Sequence, residues 1–267
     1  MHRDNPDMLL ASTWQRRRHV WTLINGGPGS GVHRSTDGGE TWTEITAGLP
    51  SEDMGRIGLA LAPSCPDTVY AIIETDDEGE GVYRSTDFGA SWEKRSSYVA
   101  GSPQYYNELV VDPSNPDRVY SMDTFMHVSS DGGRNFERVG SDHKHVDEHA
   151  LWINPENPDH LITGNDGGIY DSFDGGANWR HVENLPITQF YRATPDNAEP
   201  FYNVYGGTQD NATLGGPSRT TKTQGIVNSD WFVTIGGDGF KTQIDPNNPD
   251  IVYSQLQYGM LARIDKE

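Results

Sequence analysis

The chain has 267 residues, with 39 acidic against 20 basic side chains and a formal charge of −19; such a surface repels phosphate backbones, so nucleic acid is not an expected partner. No apolar run approaches the roughly 20 residues of a membrane span, and none has the form of a leader peptide. A lone cysteine, Cys65, excludes internal disulfides and a cysteine-built metal site.

Along the chain, one pattern occurs four times: Ser35-Thr-Asp37-Gly-Gly-Glu-Thr-Trp42, Ser85-Thr-Asp87-Phe-Gly-Ala-Ser-Trp92, Ser129-Ser-Asp131-Gly-Gly-Arg-Asn-Phe136 and Ser172-Phe-Asp174-Gly-Gly-Ala-Asn-Trp179. The four aspartates stand 50, 44 and 43 residues apart, the length of a four-stranded propeller blade. A second repeat keeps step with it: Asn5-Pro-Asp7, Cys65-Pro-Asp67, Asn115-Pro-Asp117, Asn157-Pro-Asp159 and Asn248-Pro-Asp250, each reading as a hairpin turn. The predicted class is therefore all-β: a propeller of four-stranded antiparallel blades with boundaries near 4–55, 56–106, 107–147, 148–186, 187–236 and 237–267. The blade at 187–236 lacks both turn signatures, with Phe201-Tyr-Asn-Val-Tyr205 as a strand and Trp231 where the pattern's tryptophan falls. The first blade lacks its opening strand and the last its closing one, so the chain reads as a fragment of a larger propeller whose remaining blades are expected partners.

Within the blade 56–106, strand A is expected at 57–62, B at 68–74, C at 81–85, and Trp92 opens D. Serine and aspartate oxygens of the Ser-x-Asp-x-Gly turn accept turn amides, and its glycine supplies positive φ; Asp37, Asp87, Asp131 and Asp174 are thus scaffold. Because successive strands run antiparallel, the A–B and C–D turns share one face of the disc, while B–C loops and D–A connections share the other. The irregular B–C loops are 14–31, 74–81, 123–126, 164–168, 206–216 and 255–259; the D–A connections are 48–56, 96–108, 140–149, 184–189 and 236–240. Irregular loops on a rigid scaffold carry binding groups, so a site is expected on this face.

Three constellations lie there. Trp14-Gln-Arg16-Arg17-Arg18-His-Val-Trp21 places arginines and indoles in one long loop, suited to sugar rings and carboxylates, or else to neutralising acidic loops such as Asp76-Asp77-Glu78. His143-Lys-His145-Val-Asp147-Glu-His149 puts potential metal ligands at alternate positions. Extended backbone separates these by about 6.6 Å, too far for all to wrap one ion. A polar cluster is therefore preferred, with no metal or cofactor expected and His145, Asp147 and His149 as the alternative metal set; the alternation into Leu151 and Ile153 sends His149 into blade packing. Glycine-bracketed aspartates recur in Gly164-Asn-Asp166-Gly-Gly, Gly206-Gly-Thr-Gln-Asp210-Asn211 and Gly236-Gly-Asp238-Gly, either as functional carboxylates or as caps of their own turns. The candidate catalytic residues are Asp147, Asp166, Asp210 and Asp238. The candidate ligand-binding residues are Trp14, Arg16, Arg18, Arg56, Tyr106, His145, His149, Gln189, Tyr191, Gln209 and Asn211.

The Ser-x-Asp-x-Gly-x-x-Trp units resemble the Asp-box, or BNR, repeats of sialidases, xyloglucanases and the sortilin ectodomain. Taken with Thr13-Trp-Gln-Arg-Arg-Arg18, His149-Ala-Leu-Trp152, Gln189-Phe-Tyr191, Gln209-Asp-Asn211 and Gly236-Gly-Asp-Gly-Phe240, the chain resembles large, mostly bacterial exported proteins with sortilin-like propellers that carry a glycosyl hydrolase label by similarity. The resemblance implies an extracellular or periplasmic protein that binds a glycan or peptide on its irregular face. Its alternative implication is a glycoside hydrolase using paired carboxylates. A Phe-Arg-Ile-Pro motif is absent, which argues against a sialidase.

Overall fold

A computed structural model describes residues 1–76, 78–185 and 187–266; Asp77 of the acidic loop and residue 186 of the connection 184–189 lie outside the described residues. The chain is all-β and built of propeller blades. It divides into two compact units, residues 1–182 and 183–267.

In the first unit, a three-stranded sheet pairs Leu9–Thr13, Gly31–Ser35 and Thr43–Ile45 in that order. Between its first two strands a separate hairpin rises, Arg17–His19 against Thr22–Ile24. Three four-stranded antiparallel meanders follow. They are Met54–Leu61, Val69–Thr75, Gly81–Ser85 and Glu93–Ser96; Glu108–Val111, Val119–Met122, His127–Ser129 and Glu137–Arg138; and Glu148–Ile153, Leu161–Asn165, Gly168–Ser172 and Arg180–His181.

Strand Val69–Thr75 shows why these sheets stack. Its β-branched and aromatic residues suit a strand covered on both faces, and alternate side chains enter different cores. Val69, Ala71 and Ile73 join Val32, Ile57, Phe88 and Trp92 on the side of the first sheet. Tyr70 and Ile72 join Leu109, Val111 and Val119 on the side of the third. A further core, with Tyr120, Met122, Leu161 and Trp179, lies between the third and fourth sheets. Each fully buried side chain of this size contributes about 1.5–3 kcal/mol, so the cohesion of the unit resides between blades.

The two sequence repeats keep step because their turns bond to one another. The amides of Gly38, Phe88, Gly132 and Gly175 donate to the carbonyls of Asp7, Asp67, Asp117 and Asp159 at 2.9–3.0 Å. Within each Ser-x-Asp-x-Gly turn the serine hydroxyl donates to the aspartate at 2.7–2.8 Å and accepts the amide four residues on. The same aspartate accepts the amide and side chain of the residue four positions later: Thr41, Ser91, Asn135 or Asn178. Two consecutive residues take positive φ in every copy, which is why glycine recurs; Phe88, at φ 52, is the exception, held by complete burial. The pattern's aromatic packs on the preceding blade: Trp92 donates its amide to Ala47, Phe136 stacks on Tyr98, and the Trp179 indole donates to the Gly140 carbonyl. Trp42, in the first sheet, is 44 % exposed, its indole donating to the Gly39 carbonyl of its own turn.

These turns carry an acid signature. Donors from Thr41 and Ser35 hold Asp37 at about 2, and donors from Asn178 and Ser172 do the same for Asp174. The unfolded chain, lacking those donors, binds more protons between pH about 4 and about 2. Stability is therefore expected to be full above this window and to fall as pH drops through it, in thermal melts across that range. Asp37→Asn is expected to shallow the slope; an unchanged slope in that variant contradicts the assignment.

The second unit holds Arg192–Pro195, Asn203–Gly207, Thr213–Pro217 and Phe232–Ile235 in one sheet and Thr242–Ile244, Ile251–Gln255 and Leu261–Asp265 in another. Trp231 immediately precedes the closing strand of the first of these, with Gly216 directly against its ring. A long segment with a 3-10 turn at Asn228–Asp230 and a Lys222–Asp230 ion pair replaces the missing Ser-x-Asp turn.

Candidate functional site

In the first unit, four of the predicted residues meet. Tyr106, from the connection entering the third sheet, donates its hydroxyl to Asp147 and stacks on His149, ring centroids 5.4 Å apart. His149 Nε2 lies 3.0 Å from Asp166 Oδ1. Burial, and next the acceptor Asp147, push the Tyr106 hydroxyl well above its usual range. Asp147 is fixed by its own amide, which donates to the Thr124 carbonyl, so a D–A connection and a B–C loop meet as the blade topology requires. The result is a tyrosine, a histidine and two carboxylates linked in series, with His149 46 % exposed at its side chain.

The segment 143–149 departs from the predicted alternation. His143 and Asp147 take positive φ, 61° and 68°, and the register slips between Glu148 and Ala150, making His149 the extra residue of a bulge. His149 accordingly stays exposed and does not enter blade packing. The residues turned inward are Lys144 and Glu148, an ion pair 2.6 Å long with side chains 2 % and 1 % exposed. The alternative metal set is not assembled: His145 Nδ1 sits 2.9 Å from the Val146 carbonyl, while Asp147 and His149 are engaged as above. Among the described residues no group of three or more His, Cys, Asp or Glu side chains is placed to hold a metal ion. The turn at 164–168 is capped by Asn165, whose Oδ1 accepts the Gly167 amide, which leaves Asp166 to face His149.

A second group surrounds Trp14. The guanidinium carbons of Arg16 and Arg56 lie 5.1 and 5.5 Å from the centroid of its ring, and its indole donates to the Asn25 carbonyl. Arg56 pairs with Glu108 at 2.7 Å, and its amide donates to Glu74, which also accepts from Asn25. A cavity of about 320 Å³ beside these residues is lined by Leu23, Ile24, Asn25, Asp53, Glu74 and Asp76, among others. Arg18 stands apart, exposed on the hairpin. Glu74 and Glu108 were not among the predicted residues; their places at strand ends, level with Arg56, are the signal that points to them.

The second unit gathers its own set. Tyr191 donates to Gln209 Oε1 at 3.0 Å and stacks on Phe240 with rings 5° from parallel. Asp238 Oδ1 accepts the Asp210 amide at 2.7 Å, so Asp238 caps a neighbouring loop and not its own turn. Asp210 has φ 59, and Asn211 donates to the Gln209 carbonyl. Gln189 is exposed. A cavity of about 350 Å³ in this unit is lined by Thr188, Phe190, Leu214, Asn228 and Trp231.

No protein-family model and no curated protein matches the chain. Among solved structures it is similar to a GH74 enzyme of Niastella koreensis, 15 % identical over 85 % of this chain and 38 % of that one, TM-score 0.46. It is also similar to the GH74 xyloglucanase of Xanthomonas campestris, 18 % identical over 88 % and 41 %, TM-score 0.45. A third is YCF48 of Cyanidioschyzon merolae, 13 % identical over 88 % and 75 %, TM-score 0.40. The chain spans about two fifths of the length of those two GH74 enzymes, and at such identities the likeness lies in architecture alone.

Proposed function

We propose that the chain belongs to an exported Asp-box propeller of the sortilin-like type that binds a glycan or peptide through its irregular loop face. The supporting observation is the division between the two ends of the sheets in the first unit. At one end the aspartates are consumed by their own turns. At the other, Tyr106, Asp147, His149 and Asp166 gather ring faces and charged groups from three separate loops into one partly exposed cluster. Convergence from distant positions is what a site needs and what isolated turn caps do not. The hydrolase alternative needs a carboxyl group held protonated to act as acid. The turn aspartates Asp37, Asp87, Asp131 and Asp174 are all displaced downward, so none of them is such an acid.

The test is a panel of polysaccharides and peptides offered to the complete protein, followed by Tyr106→Phe and Asp147→Asn. Either variant is expected to weaken the bound ligand about tenfold, equivalent to about 1.4 kcal/mol, with an unchanged melting temperature. Unaltered affinity in both variants defeats the reading, and release of shortened sugar chains by the parent protein selects the hydrolase instead.

A further inference from the structure

The hairpin formed by Arg17–His19 and Thr22–Ile24 belongs to no blade sheet. At its tip Val20 is wholly exposed and Trp21 is 80 % exposed. Trp21 lies flat on His19, rings 4° from parallel and centroids 5.1 Å apart, so one indole face is covered and the other is open. Pairing of Arg17 with Ile24 and of His19 with Thr22 puts Arg17 and His19 on one side of the ribbon and Arg18 on the other. Arg34, Arg56, Arg84 and Arg95 are each bonded to a carbonyl or carboxylate. Among the described residues, Arg17 and Arg18 are paired with no carboxylate, those of Glu74, Asp76, Glu78 and Glu80 included. In a chain of charge −19, the ribbon that carries the open indole thus also carries two guanidiniums without a carboxylate partner.

We infer that this hairpin is a docking element for a carboxylate-bearing polysaccharide, a uronate chain, whose ring lies on the open face of Trp21 while its carboxylate takes a forked pair of hydrogen bonds from Arg17 or Arg18. The inference rests on the glycan half of the proposed function and names the class of glycan. A uronate ring carries an apolar C–H face and a carboxylate on one rigid unit, which matches an indole and a guanidinium held on one short ribbon. A flexible acidic peptide offers the same charges but pays for ordering its backbone. A bilayer fits less well. One indole, one valine and two arginines give marginal attachment, and an anionic lipid surface opposes the rest of an acidic protein within a Debye length of about 8–10 Å.

The experiment measures binding of the complete protein to polygalacturonate, to the same polymer after carboxyl reduction, and to phosphatidylserine-containing vesicles. The variants are Trp21→Ala, the double Arg17→Gln/Arg18→Gln, and Tyr106→Phe. Polygalacturonate is expected to bind, the reduced polymer to bind at least tenfold more weakly, and both hairpin variants to lose at least tenfold with unchanged circular dichroism. Absence of polygalacturonate binding overturns the inference, as does binding that both hairpin variants retain, or hairpin-dependent capture of vesicles without capture of the polymer. The two readings fail separately. Tyr106-dependent binding of another ligand with no uronate binding sinks the hairpin alone; hairpin-dependent uronate binding that Tyr106→Phe leaves intact supports the hairpin and counts against the Tyr106 cluster.

Discussion

Glu148→Ala is expected to destabilise the first unit by about 3–5 kcal/mol, because it strands the Lys144 ammonium without its partner. The two side chains are almost fully enclosed and 2.6 Å apart. Lys144 also lies 4.3 Å above the Trp179 ring, and Glu148 accepts the Thr163 hydroxyl at 2.6 Å. Burial pushes the Lys144 ammonium below its usual range, and Glu148 is what opposes that displacement. With the carboxylate gone, the lysine must either lose its proton or draw water into the core between the third and fourth sheets. The double replacement Lys144→Met/Glu148→Leu removes both charges and keeps the volume, and is expected to recover most of the loss. Urea unfolding near pH 7 reads both outcomes as a shift in midpoint at constant slope. A loss below 1 kcal/mol in the single variant, or a double variant no better than it, means that water already reaches the pair.

How far the sequence announces this molecule depends on whether a feature is local. The Ser-x-Asp-x-Gly turns are set by residues within eight positions of one another, and each recurs with the same bonds, so the blades and the structural role of Asp37, Asp87, Asp131 and Asp174 are legible from the repeat. Face sorting is legible too, since it follows from antiparallel order. What escapes is the phase of 143–149. Alternation presumes extended backbone, and positive φ at His143 and Asp147 with the bulge at His149 turns Lys144 and Glu148 inward in place of the histidines. The contact of Tyr106 with Asp147 joins positions 41 residues apart; blade topology places both on one face, but only coordinates show them bonded. Trp14 illustrates the converse. Its arginine neighbours are apparent in the sequence, yet Arg56, whose guanidinium also lies over the ring, comes from the next blade.

Gly58→Ala is expected to cost about 3 kcal/mol, the upper end of what overpacking a tight interior produces. Gly58 lies within Met54–Leu61 and pairs with Ile72. A Cβ built on it meets the Asn107 carbonyl oxygen at 2.0 Å and Ile72 Cγ2 at 3.0 Å. The first of these is backbone, at the start of the third sheet, where Asn107 is fully buried with φ 67 and donates its amide to the Arg56 and Ile72 carbonyls. It therefore cannot rotate aside as a flexible side chain does; the two blades must part, and Tyr70, Ile72, Leu109 and Val111 between them lose contact. Gly164→Ala provides the matched control. It also sits in a strand, opposite Ala150, but its Cβ meets nothing closer than 3.8 Å, so it is expected to be neutral or to stabilise by up to about 1 kcal/mol through the unfolded chain. If the two substitutions shift the urea midpoint equally, the close approach of the second and third sheets is not what fixes Gly58, and the spacing of the blades rests on their side chains alone.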